Sequence, residues 1–169
     1  MIDHRHALSD RARLAALTPY SWDDPALRTE LDRIAASTAA ALDQPVSLIT
    51  LVLDSAQELI GSHGVSGWVA SAGGTPVEWS FCATTVVTGA PYVVDDAAAH
   101  PDHHDNPLVA IDGMAAYAGV PLRTPDGQVL GGHCVISGVP HHWTSDEVAA
   151  LQAAADEVTT VLNRYRTAS

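Results

Sequence analysis

Lysine is absent from this 169-residue chain. All eight basic residues are arginine, against 20 acidic ones, and the formal net charge is −12 with histidine neutral. A surface so poor in cations cannot displace counterions along a phosphate backbone, which excludes nucleic acid as a partner. It excludes a polybasic membrane patch for the same reason. Cysteine is scarce too: Cys82 and Cys134 are too few for a disulfide scaffold or a structural zinc site. No apolar run approaches the roughly 20 residues that span a bilayer, and the polar start Met1-Ile2-Asp3-His4-Arg5-His6 does not read as a signal peptide. A cytoplasmic location is therefore expected. What is plentiful is apolar character, 47% of residues, which rules out a disordered chain. The length suits one domain, able to bury about two thirds of its unfolded surface. A soluble sensor and a small enzyme both fit these numbers.

Charge divides the chain. Residues 1–13 hold Arg5, Arg11 and Arg13 against Asp3 and Asp10, a balance of +1, and the remainder carries −13. Residues 1–20 read as a separate arm, helical if Leu8, Leu14 and Leu17 share a face, ended by Thr18-Pro19. That arm is the one segment whose charge suits docking on another copy of the acidic domain formed by residues 21–169. Asp24 and Pro25 open a helix with Leu27, Leu31, Ile34, Thr38 and Leu42 along one stripe. Val46 to Leu53 reads as a buried strand, with Gln57 to His63 as its hairpin partner. Residues 64–77 are rich in Gly, Ser and Ala and read as a loop. Ser80 to Thr88 is a short helix capped by Ser80, Tyr92 to Val94 a strand, and Asn106 to Ile111 a turn or two of helix. Thr124-Pro125-Asp126-Gly127 joins the strands Ala115 to Leu122 and Val129 to Ser137 as a hairpin. Thr144 and Glu147 form a capping box ahead of Val148, Leu151, Ala155, Val158, Leu162 and Tyr165 at helical spacing.

Four segments, in order and register, resemble the GAF domain family. Ser80-Phe81-Cys82-Ala83 is similar to its S-F-C-A helix start, and Asn106-Pro107-Leu108-Val109 to its N-P-x-V segment. Tyr117-Ala118-Gly119-Val120-Pro121-Leu122 resembles Y-A-G-x-P-L, and Gly131-Gly132-His133-Cys134-Val135-Ile136 resembles G-T-L-C-V-I. The resemblance covers residues 25–163 and implies an α/β (α+β) fold: a GAF/PAS-like antiparallel sheet of five to six strands with helices on both faces. It implies terminal helices on one face and, on the other, a closed small-molecule pocket under the S-F-C helix. Thr84, Ala115-Ala116 and His133 depart from the family pattern, which points to a remodelled cavity with a polar anchor.

The candidate ligand-binding residues are Trp79, Phe81, Cys82, Asp96, Tyr117 and His133, with Trp68 near the expected rim. His133 lies inside an apolar strand, where an imidazole must find partners, so it reads either as a ligand anchor or as a satisfied core histidine. His100, His103 and His104 sit beside Asp102 and Asp105, suitable metal ligands in a spacing that matches no firm signature. His141-His142 read as linker. Cys82 and Cys134 read as packing or, with Cys82 near a helix start, as a reactive thiol. Asp95-Asp96 reads as a loop cap.

The resemblance implies a stand-alone sensor that binds a small molecule without catalysis. Two alternatives stand beside it: a haem or metal sensor using His133 or His100, His103 and His104, and a cysteine-dependent free methionine sulfoxide reductase. A single domain has no room for its own output, so signalling is expected through a homodimer or a protein partner such as a kinase or regulator. Arg123 is the only arginine between residues 34 and 163, so an anionic nucleotide would find few basic anchors.

Overall fold

The computed structural model describes residues 4–167. In chain order the elements are α1 (Arg5–Leu8), α2 (Arg11–Ala16), α3 (Pro25–Ala41), β1 (Val46–Val52), β2 (Ala56–His63), α4 (Gly67–Ala72), β3 (Gly74–Pro76), a 3₁₀ turn (Val77–Trp79), α5 (Cys82–Thr88), β4 (Tyr92–Val94), α6 (Pro107–Ala110), β5 (Ala116–Arg123), β6 (Val129–Ser137) and α7 (Ser145–Arg164). The strands form one antiparallel sheet in the order β3-β2-β1-β6-β5-β4. The expected α+β architecture, with a six-stranded antiparallel sheet and helices on both faces, is the one observed.

Both long helices start as their sequences dictate. Asp24 accepts from the Ala26 N–H at 2.9 Å ahead of Pro25, and the Thr144–Glu147 capping box is complete. Their apolar stripes, Leu27, Leu31 and Ile34 on α3 and Leu151, Ala155 and Val158 on α7, cover the same sheet face. That face presents Ile49, Leu51, Val120, Leu122 and Val135. Residues two apart on a strand share a face, so Leu48, Tyr117 and Cys134 point the other way. There they meet α5 through Phe81, Cys82 and Val86 in a second cluster.

Two segments depart from expectation. Residues 64–77 are not a plain loop: they carry α4, β3 and the start of the 3₁₀ turn. The arm is not held apart either. Leu8 is 1% exposed within the second cluster, and Arg13 is buried with its guanidinium donating to the main-chain carbonyls of Val52 (2.7 Å), Leu8 (2.8 Å) and Val129 (3.3 Å). Tyr20 bridges Arg166 at the far end of the chain. The arm is thus seated on its own domain.

Candidate functional site

Between α5 and the sheet face opposite the long helices lies a cavity of about 290 Å³. Its floor is Leu48, Leu59, Tyr117, Cys134 and Ile136, and its roof is Phe81 and Cys82. The segment after β2, with Val65 and, on α4, Val69, and the segment around α6, with Leu108 and Met114, close the sides. α4 buries none of its own residues, and its Trp68 indole N–H donates to the carboxylate of Asp112, a lining residue, at 3.1 and 3.2 Å. Asp112 is the one formally charged residue in the described lining, which contains no arginine and no histidine.

A polar strip crosses the apolar wall. Gln57 donates to Thr75 at 3.3 Å and accepts from the Ser80 hydroxyl at 2.6 Å. Ser80 in turn accepts the Ala83 N–H at 3.1 Å, so it caps α5 as expected while tying it to β2. Deeper in, the Tyr117 hydroxyl lies 3.0 Å from the Cys82 sulfur and 3.3 Å from Thr85 Oγ1. Gly132 makes this approach possible, because a Cβ there would sit 3.0 Å from the Cys82 sulfur. Polar neighbours, Cys134 first and then Thr50 and Tyr117, lower the Cys82 thiol from its ordinary value in spite of burial. The Cys134 thiol is pushed well above it, first by its bond to Cys82 and then by burial.

The GAF domain family profile matches residues 26–162. The chain belongs to that family. The cyclic di-GMP phosphodiesterase PA2567 of Pseudomonas aeruginosa is 32% identical over 110 residues, a match that covers 64% of this chain and 18% of that protein. The GAF domain of a Coxiella burnetii phosphoenolpyruvate-protein phosphotransferase superposes with a TM-score of 0.69 at 16% identity, covering 91% of this chain and 90% of that one. A free methionine-R-sulfoxide reductase from Neisseria meningitidis gives 0.66 at 18% identity, covering 96% and 92%. At such identities the structural likeness concerns the fold alone.

Within this GAF domain, Phe81, Cys82 and Tyr117 are brought together at the cavity, and three other candidates are not. His133 faces α3. Its Nδ1–H donates to the Leu48 carbonyl at 2.9 Å, which fixes the tautomer because a carbonyl only accepts, and its Nε2 lies 3.0 Å from Thr38 Oγ1. Burial lowers it to about 4, so it is a neutral, satisfied core histidine. Asp96 is exposed and accepts the Ala99 N–H at 3.3 Å, capping its loop. Trp79 is half-buried outside the cavity, its ring edge-on to Trp68 at 5.6 Å.

The histidine loop does not converge either. His103 is buried and stacked on Phe81 at 4.1 Å, with Nε2 2.6 Å from the Tyr92 hydroxyl. Burial, then the charge of His100, lowers it to about 4. His100 accepts the Asp102 N–H through Nδ1, and His104 is exposed. Among the described residues no three His, Cys, Asp or Glu side chains are grouped to hold a metal ion. With no imidazole at the cavity wall, the residues do not fit a haem iron there. His141 and His142 lie in the linker before α7 and reach Glu147 and Asp95, each at 2.9 Å. The residues that the sequence left unmarked are Gln57 on β2 and Asp112 and Met114, the last two on a loop with no periodic signal.

Proposed function

We propose that this GAF domain is a sensor whose cavity binds a small, largely apolar molecule that is neutral or cationic. The observation that carries this is the charge of the described lining: one carboxylate, Asp112, and no cation. An anion entering it would lose its hydration without gaining a charged partner. The volume of about 290 Å³ sits at the small end of ligand sites, which run from roughly 300 to 1,000 Å³. That favours a metabolite-sized ligand over a cyclic dinucleotide. Phe81, Cys82 and Tyr117 are its contacts in this reading, and no catalysis is involved. Output passes by shape change to a second copy of the chain or to a partner protein such as a kinase or regulator, in the cytoplasm.

Native mass spectrometry and thermal shift test this together. A co-purified or added uncharged or cationic aromatic molecule is expected to raise Tm, and Ile136→Trp, which fills the cavity, to abolish the shift. Saturable stabilisation by cyclic di-GMP, itself lost in Ile136→Trp, would overturn the reading. A second reading is favoured by the two thiols on the cavity wall: a cysteine-dependent reductase of free methionine sulfoxide. Its test is turnover of that substrate by the wild-type chain and not by the Cys82→Ser, Cys134→Ser protein.

A further inference from the structure

A second cavity, of about 220 Å³, lies between α1, α5 and the histidine loop, and shares no described lining residue with the first. It exists because the arm is seated. Leu8 is buried and His4 Nε2 lies 3.0 Å from Thr84 Oγ1, so residues 4–8 form a wall against α5. Leu8, Val77 and Ala83 make part of the lining apolar. Two of its buried polar side chains are already engaged. Ser80 bonds Gln57 and the Ala83 N–H, while Asn106 accepts from the Leu108 N–H at 3.0 Å and donates to the Trp79 carbonyl at 3.2 Å. His103 differs. It is 5% exposed and its Nε2 is held by the Tyr92 hydroxyl, but among the described residues its Nδ1 has no hydrogen-bond partner. The Tyr92 contact, at 2.6 Å, is shorter than an N–H···O bond ordinarily runs and suits an O–H donor, so the phenol donates to Nε2. The neutral ring then carries its hydrogen on Nδ1, a buried donor with nothing to bond on the wall of this cavity. An unmade hydrogen bond of this kind is costly, and a bound acceptor would complete it.

Two formal charges of opposite sign complete the lining. Arg5 and Glu78 stand 3.6 Å apart, with side chains 73% and 42% exposed, so a solute can reach both. We propose that this cavity is a second binding site, for a small zwitterion bearing one carboxylate and one ammonium group, of the size of a short aliphatic amino acid. The carboxylate accepts from His103 Nδ1–H and pairs with the Arg5 guanidinium. The ammonium pairs with the Glu78 carboxylate, and the aliphatic part lies on Leu8, Val77 and Ala83. Charge makes the selection. A simple anion would sit against Glu78, and a simple cation against Arg5 and an imidazole donor, whereas a zwitterion answers both. Size agrees, because the volume of about 220 Å³ falls below the roughly 300 to 1,000 Å³ of drug-sized ligand sites. The stack of His103 on Phe81 at 4.1 Å is where this site touches the roof of the first cavity. This inference goes beyond the sensor reading and does not depend on which ligand that sensor takes.

The experiment titrates the whole chain with L-alanine and L-valine by isothermal calorimetry. Each is set against its analogues with one charge: propionate and ethylamine for the first, isovalerate and isobutylamine for the second. Saturable one-to-one binding of at least one amino acid is expected, with its analogues weaker by at least about tenfold, because each leaves a partner unanswered. Arg5→Gln and Glu78→Gln should each weaken the amino acid by a similar factor. Both side chains are partly exposed, so these variants are expected to fold, which circular dichroism checks. In wild type the imidazole resonances of His103 should shift as the site fills. No binding of either amino acid, a one-charge analogue that binds as tightly as its amino acid, or binding that is lost in Ile136→Trp and kept in Glu78→Gln would each overturn the proposal. The last outcome would place the amino acid in the first cavity, so failure of this site and failure of the sensor reading are told apart.

Discussion

Gly119 lies directly across the ladder from Cys134, and a Cβ on it would collide with the Tyr117 ring and hydroxyl. The overlap is with a fully buried side chain that has little freedom to yield. Gly119→Ala is therefore expected to destabilise the domain by about 2 kcal/mol in urea unfolding. In a Tyr117→Ala background, with the colliding ring removed, the same change should cost under about 0.5 kcal/mol. Equal costs in both backgrounds would show that the strain lies elsewhere. The same scale explains why one candidate missed the site. His133 and Cys134 are neighbours on a strand, so they must point to opposite faces. Alternation was readable in the sequence. Which of the two faced the cavity depended on where α3 lies, and Thr38 on that helix is what holds the imidazole.

At the scale of elements, α2 packs on the core through Leu14 and Ala16 and is tied to it by the Arg13 guanidinium. Arg13 is 6% exposed, its burial lowers the guanidinium from its ordinary range, and three main-chain carbonyls depend on it. Arg13→Ala strands those carbonyls, and a loss of about 3 kcal/mol of stability is expected. Limited proteolysis should then cut within residues 8–17 faster than in the wild type. An unchanged cleavage rate would mean that Leu8 and Leu17 hold the arm without it. The +1 charge of the arm suggested an outward contact, yet the arginine that contributes to it turns inward. Elements whose signals are local were legible: Thr144 and Glu147 begin α7 by bonding backbone groups within one turn. α4 was not legible, because it buries no residue and so leaves no apolar period to read.

For the molecule as a whole, two buried imidazoles set an acid limit. His103 and His133 are both lowered to about 4, while unfolded histidine titrates near 6.5. Between those values the unfolded chain binds more protons than the folded one, so stability is lost as pH falls from about 6.5 to about 4. The His133 imidazole contributes about 3 kcal/mol across the full window, and His103 adds to it in the same direction. Near pH 5, unfolding of His133→Gln should take up about one proton fewer than wild type, read from the slope of unfolding free energy against pH. Identical slopes would remove His133 from this account. Among the described residues no helix is long and apolar enough to cross a membrane. Caps, turns and the period of apolar residues act over one or two turns of chain, so the strands, the long helices and four family segments could be read directly from residue order. The cavity's charge, the place of Cys82 and Cys134 on one cavity wall and the inward turn of Arg13 join residues 35 or more positions apart. Such meetings follow from which sheet face each helix covers, and that is set by packing the whole chain at once.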